Sequence, residues 1–293
     1  IPGEKEQMFV LFWLLEKTVP LFPLKFIQTV ARVKGKLFYY ILPIRKSVAQ
    51  ANLKLAFPEK SDEEINRIVK GCYVNVLTVI AEFFYMQKMT TNEMQRFMRF
   101  ANEELYLEKV KEGKGVIIIS GHFGNWELTA FGSNKLTGVK LNVVVKEQTN
   151  RKVNEGINRI RTSNGNKMID MRNSLRAILT ALKAGEVVAM LGDQSAPKEN
   201  VKVNFFIKDV PTFEGTARIA LKTRANVLFV VSVRQNDGTY LLKFHEIDIS
   251  KYNGSSEENI KALTQEHVNL LVQYINAFPD QWLWFHKRFK NAA

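Results

Sequence analysis

Apolar and polar positions follow three rhythms along this chain, each in its own region. Between residues 8 and 42 the apolar residues are too dense for one buried stripe. Phe9, Phe12, Trp13, Leu14, Phe22, Phe26 and Ile27 stand there beside Lys17, Lys25, Arg32, Lys34 and Lys36. Glu16-Lys17, Pro20 and Pro23 interrupt the run, so no stretch reaches the ~18 apolar residues of a spanning helix. The pattern predicts helices lying in a membrane interface, aromatic and aliphatic residues inward and basic ones beside the headgroups.

The second rhythm is helical. Ser61 and Glu64 make a capping box, and Ile65, Ile68, Val69, Cys72, Val76, Leu77, Ile80 and Phe84 follow at helical spacing. Beyond residue 115 short β-branched runs alternate with helical stretches. Val116–Ile119, Leu141–Val145, Lys167–Asp170 and Val187–Leu191 read as strands, as do Val201–Phe206, Val227–Val233 and Tyr240–Ile247. Ser174–Lys183, Glu214–Thr223 and Glu257–Ala277 read as helices, and a polar helical stretch ends at Asn164-Gly165. The alternation predicts an α/β fold, a central, mostly parallel sheet flanked by helices, with an N-terminal membrane-associating helical segment. Residues 1–60 form that segment in this reading and 61–293 the α/β domain. No internal repeat or low-complexity stretch breaks the pattern.

Composition narrows the partners. The chain has 293 residues, 46% of them hydrophobic, enough for one large core. A formal charge of +13 implies an anionic partner, such as phospholipid headgroups, a phosphorylated lipid, an acidic carrier protein or nucleic acid. From Val10 to Pro58 eight Lys or Arg face a single acid, Glu16. The one cysteine, Cys72, lies on an apolar helical stripe, which excludes a disulfide framework and a cysteine-rich zinc site. No signal-peptide pattern is evident, so a reducing, cytosolic setting is the expectation. His122, His245, His267 and His286 are scattered without metal-ligand spacing; His267 is expected in solvent on a polar helix, and His245 within a strand. The glycines fit no phosphate-binding loop, and Ser120 lacks a nucleophile elbow. No metal or cofactor is expected.

One stretch carries the chemistry. Val116–Ile119 is a strand buried on both faces; Ser120-Gly121 ends it, and His122 follows where an α/β strand opens into a loop. Glu127 stands five residues on. On a regular helix that spacing separates two side chains by about 140°, so His122 must sit in the turn before a helix and Glu127 in its first turns. An imidazole with a nearby carboxylate is a minimal kit for taking a proton from a hydroxyl, and the helix start offers free amides to an oxyanion or phosphate.

The wording Ser-Gly-His-Phe-Gly-Asn-Trp-Glu, residues 120–127, resembles the motif of the lipid A acyltransferases, the lauroyl and myristoyl branch of the glycerolipid acyltransferase superfamily. The pattern Asn52-Leu53, Phe57-Pro58, Ser61, Glu64 is similar to that family's N-terminal region. Pro279, Gln281, Trp282, Trp284, His286, Arg288 and Lys290 are close to its terminal block. The resemblance covers nearly the whole chain and implies an acyltransferase with His122 as general base and Glu127 holding its tautomer. Lys146, Arg159, Arg161, Asp193 and Asn125 are then expected to contact substrate, with Asn150 and Gly215 matching further family positions. Two departures stand out: Lys146 where the family usually has Arg, and Phe213-Glu214 in place of a Thr-rich turn before Gly215.

The implied donor is acyl carrier protein or acyl-CoA, and the implied acceptor a hydroxyl of a phosphorylated glycolipid such as a lipid A precursor. The place would be the cytoplasmic face of a bacterial inner membrane, held by anionic lipid, with no nucleic acid as partner. Other lipid acceptors remain open: lysophosphatidate, a phosphoinositol mannoside-type lipid or an aminolipid. Phe213-Glu214-Gly215-Thr216 resembles the phosphate-binding block of glycerol-phosphate acyltransferases, but the proline is missing and no buried strand leads directly into it. A non-enzymatic rival, a basic peripheral-membrane or nucleic-acid binding protein, fits the charge and the aromatic-basic terminus. It leaves the His and Glu at the strand mouth unexplained.

Overall fold

A computed structural model describes residues 2–292; the end residues of the expected 1–60 and 61–293 units, Ile1 and Ala293, lie outside the described residues. The chain opens with helices α1 (Pro2–Thr18) and α2 (Leu24–Ile41), joined by a 3-10 turn at Val19–Leu21. Pro20 sits in that turn and Pro23 caps α2, so both prolines fall where a missing N–H costs no helical bond. Then come α3 (Lys46–Ala56), α4 (Asp62–Met86), α5 (Thr91–Phe97), β1 (Met98–Phe100), α6 (Glu103–Lys111), β2 (Val116–Ser120) and α7 (Trp126–Thr137). The middle holds β3 (Leu141–Val145), α8 (Arg151–Thr162), β4 (Lys167–Asp170), α9 (Ser174–Lys183) and β5 (Val187–Leu191). The chain ends with β6 (Lys202–Phe205), β7 (Ile207–Pro211), α10 (Gly215–Thr223), β8 (Asn226–Arg234), β9 (Tyr240–Ile247) and α11 (Glu257–Ala277).

Seven strands form one sheet in the order β1-β9-β8-β2-β5-β3-β4. All pairings are parallel except β8 with β9. Alternation along β2 explains its burial on both sides. Val116 and Ile118 join a cluster with Tyr106 of α6 and Ala130 of α7. Ile117 and Ile119 face the cluster that takes in α9, α10 and α11 through Ile178, Ala217 and Leu263. A third cluster, including Phe12, Phe84, Leu128, Phe131, Val153 and Ile160, packs α1, α4, α7 and α8 together.

Helix α4 starts with the expected capping box: Ser61 Oγ accepts from Glu64 N at 3.3 Å and Ser61 N donates to Glu64 Oε2 at 2.9 Å. It is long and apolar enough to cross a membrane by length and composition, yet over half of its apolar window is buried within this fold. Helix α2 lies against it at Gly35, where a Cβ would stand 2.5 Å from Val74 Cα. The outer surfaces of α1 and α2 leave Trp13, Phe22, Phe26, Leu37 and Tyr40 exposed.

Two strands escaped the reading of hydrophobic runs. β1 is only three residues long. β7 carries Lys208, Asp209 and Pro211 and pairs with β6 as a separate antiparallel hairpin. His267 corrects an expectation: it is buried on α11 rather than solvated, because that helix packs on the sheet.

Candidate active site

β2 and β5 run side by side in parallel, with Ser120 opposite Leu191. Two residues beyond each of those positions stand His122 and Asp193, so the pairing itself brings them together at the carboxyl edge of the sheet. His122 Nδ1 lies 2.8 Å from Asp193 Oδ1, and the His122 amide donates to Asp193 Oδ2 at 2.7 Å. Trp282 Nε1 donates to the same Oδ2 at 2.8 Å. The other imidazole nitrogen, Nε2, has the Gln194 side-chain nitrogen 3.4 Å away.

The loop holding His122 is fastened from several sides. Gly124 has φ +59°, and a Cβ there would stand 1.7 Å from Ser232 O, so only glycine fits. The terminal block forms a bridge with this loop: Leu283 N donates to His122 O at 3.0 Å and Gly124 N to Gln281 O at 2.9 Å. Asn52 donates to the carbonyls of Trp284 and His286 at 2.8 and 2.7 Å, tying the N-terminal family pattern to the C-terminal one.

Charge at the pair is mutually stabilised. Burial opposes protonation of His122, but the Asp193 carboxylate outweighs it, with Glu127 adding, and lifts the imidazole above its ordinary range. Burial works to raise Asp193, whereas the positive charge and hydrogen bonds of His122 hold it well below the usual carboxylate range. Asp193 is therefore an ionised, buried orienting group for His122.

Glu127 occupies the first turn of α7, as the spacing required, but its carboxylate meets Arg161 rather than Nδ1 of His122. Arg161 Nε and Nη2 donate to it at 2.8 and 2.5 Å, a bidentate pair with both side chains mostly buried. Nη1 of Arg161 makes no hydrogen bond among the described residues. Arg159 points elsewhere: its Nη2 contacts both Glu16 oxygens, at 2.7 and 2.9 Å, and so holds α8 to α1. Asn150 caps α8 and donates to Lys5 O at 2.6 Å. Lys146 is exposed just beyond β3, on the same sheet edge as His122 and Asp193.

Asn125 is fully buried. Its Oδ1 accepts from Leu128 N at 2.9 Å, capping α7, and its Nδ2 donates to Glu82 Oε2 at 2.9 Å. Glu82, also fully buried, further accepts from Gln28 at 2.7 Å, Tyr240 at 2.6 Å and Arg234 at 2.7 and 3.2 Å. Sequence reading gave no hint of this network, which joins α2, α4, the site loop and the sheet. Phe213 is exposed, while Glu214 accepts from Val201 N at 2.8 Å and pairs with Arg218. Arg288 is 1% exposed and donates to Pro211 O and Thr212 Oγ1 at 2.7 and 2.6 Å. Burial brings its pKa down to about 10.

Known proteins resemble this chain along most of its length. The family described as bacterial lipid A biosynthesis acyltransferase matches residues 5–291. The lipid A biosynthesis palmitoleoyltransferase of Escherichia coli (strain K12) is 25% identical over 249 residues, 84% of this chain and 79% of its own length. A lipid A biosynthesis acyltransferase of Shigella flexneri matches to the same extent, 25% over 249 residues. The lipid A biosynthesis lauroyltransferase of the same E. coli strain is 24% identical over 259 residues, 87% of this chain and 82% of its own.

Proposed function

Because the chain belongs to the bacterial lipid A biosynthesis acyltransferase family, and is an acyltransferase, we propose that it acylates a hydroxyl of a phosphorylated glycolipid, a lipid A precursor. The donor in this reading is an acyl thioester, on acyl carrier protein rather than CoA. The observation that carries the mechanism is the 2.8 Å contact between His122 Nδ1 and Asp193, which leaves Nε2 as the basic nitrogen.

The acceptor hydroxyl gives its proton to Nε2 of His122 as its oxygen attacks the thioester carbonyl. The imidazolium formed is stabilised by Asp193 and, at longer range, by Glu127. Collapse of the tetrahedral intermediate breaks the C–S bond, and the thiolate takes the proton back from His122. Arg161, oriented by Glu127, and the exposed Lys146 supply positive charge to the acceptor phosphate or the developing oxyanion. Arg159 acts one step removed, by anchoring α8 on α1 through Glu16. Asn125 shapes the loop rather than touching the acceptor.

The exposed aromatic face of α1 and α2 rests, in this reading, on the cytoplasmic leaflet of the inner membrane. Residues 1–60 make that contact and 61–293 the chemistry. The test offers purified protein an acylated carrier protein or the matching acyl-CoA, with a lipid A precursor or lysophosphatidate in mixed micelles. Mass spectrometry should find one added acyl chain on the lipid A precursor, with the carrier as the better donor. Acylation of lysophosphatidate alone would overturn the acceptor assignment, and CoA as the better donor the carrier assignment.

A further inference from the structure

The side-chain amide of Asn158 makes no hydrogen bond at all among the described residues. Its Oδ1 is shut off from solvent without a partner, and its Nδ2 has none either. Other amides of this region are used: Asn154 Oδ1 accepts from Gln148 N at 2.9 Å, and Asn164 donates to Phe131 O at 2.7 Å. A buried carbonyl left unpaired costs stability, a cost that a partner from outside the fold would relieve.

Its position suggests that role. Asn154, Asn158 and Arg161 lie four and three residues apart on α8, on one stripe of the helix. Val153, Gly156 and Ile160 form the buried stripe. At one end Asn154 holds the loop that follows Lys146; at the other Arg161 holds Glu127. Asn158 stands between them. On the α7 side of the sheet, Leu191 shares the parity of Val187 and Ala189 and is 39% exposed for the last residue of a central strand.

We propose that Asn158 is a specificity-determining residue that hydrogen-bonds a hydroxyl or amide group of the glycolipid acceptor. The proposal rests on the reading that the acceptor enters on the Arg161 side of His122. A half-turn about the broad terminal torsion of Asn exchanges the occluded oxygen for the nitrogen, so the amide turns either group toward the acceptor. A site that pairs a substrate polar group discriminates strongly against its loss, because the group is otherwise left buried and unpaired.

Asn158→Leu keeps the shape and removes the amide. Steady-state kinetics with acyl carrier thioester and lipid A precursor, each titrated separately, should show kcat/KM for the acceptor falling about tenfold or more, with donor KM unchanged. The melting temperature should hold or rise, since an unsatisfied polar group has been removed. Asn158→Asp, which retains the oxygen acceptor, should recover part of the loss. Acceptor kcat/KM within twofold of wild type in Asn158→Leu would overturn the proposal, as would a lowered melting temperature with donor and acceptor use falling together. His122→Ala run alongside separates this from the mechanism: activity surviving in His122→Ala removes the base assignment, whereas loss there with Asn158→Leu unaffected removes only this inference.

Discussion

His122 Nδ1 lies 2.8 Å from Asp193 Oδ1, so the imidazole takes its orientation from the neighbouring strand end and not from the glutamate of its own motif. Glu127 instead grips Arg161 across the gap between α7 and α8. In the proposed reaction the two acids of the site therefore divide the work: Asp193 aligns the base, and Glu127 places a cation.

That division predicts strong coupling between Glu127 and Arg161. Glu127→Ala leaves a mostly buried guanidinium unpaired, and Arg161→Ala leaves the carboxylate so, each costing on the order of 10²-fold in kcat/KM. The double variant should be no worse than the more damaging single one, because the members act as a unit. Arg161→Lys loses the bidentate fork and should also weaken acceptor use more than donor use. Additive losses in the double-mutant cycle would mean that the two residues act separately.

Glu82 holds the loop of His122 in place through Asn125. Glu82→Gln removes the charge that compensates buried Arg234, and denaturant unfolding should show a loss of about 3–5 kcal/mol. Tyr240→Phe removes one hydrogen bond to the same carboxylate and should cost nearer ~1 kcal/mol. A Glu82→Gln protein as stable as wild type would show that the network is not a structural tie.

Acid should unfold the protein in a window set by two histidines. Burial pushes both His267 and His286 down to about 4 in the folded state. Between the unfolded value of roughly 6.5 and that level the unfolded chain binds more protons, so stability present above the window is lost as pH falls through it. His122 works in the opposite sense, since its raised folded value gives stability below roughly 6.5 that is lost as pH rises past the folded one. Melting temperatures from pH 7 to 4 should fall, and His267→Gln should flatten that fall. An unchanged slope in His267→Gln would refute the assignment.

The sheet order and the site were unequally legible in the chain. Val116–Ile119 and Val187–Leu191 announced themselves as buried strands through β-branched runs, and Asp193 was among the expected substrate contacts. That the two strands are neighbours is a non-local fact, and with it the partner of His122 stayed hidden. Glu82 sat within an apolar helical pattern, where one acid looks like an interruption; only the arrival of Gln28, Asn125, Arg234 and Tyr240 from distant segments makes it a hub. His267 was misplaced because the polar residues of α11 hid its packed face.

Membrane attachment is tested best by substitution, because α2 packs on α4 at Gly35 and its deletion would bare the core. Trp13, Phe22 and Phe26 are 47%, 46% and 51% exposed. Binding to liposomes should rise with anionic lipid and weaken with salt, yet persist in part at high salt, since apolar burial is not screened. Trp13→Ser, Phe22→Ser and Phe26→Ser together should leave only the salt-sensitive part. Full release of the wild type by salt alone would remove the apolar contact from this account.

The central claim is that His122, aligned by Asp193, is the general base. The most direct measurement is the pH profile of acyl transfer for wild type, His122→Ala and Asp193→Asn, with melting temperatures for each. A base acts when neutral, so wild-type kcat/KM should rise with pH through a value above the ordinary histidine range. Asp193→Asn should lose roughly 10²–10⁴-fold and move that limb to lower pH, and His122→Ala should abolish transfer while still unfolding in one cooperative transition, at a temperature lowered by the loss of Asp193's buried partner. Most of the activity surviving in a folded His122→Ala protein, or a limb that stays in place in Asp193→Asn, would contradict it.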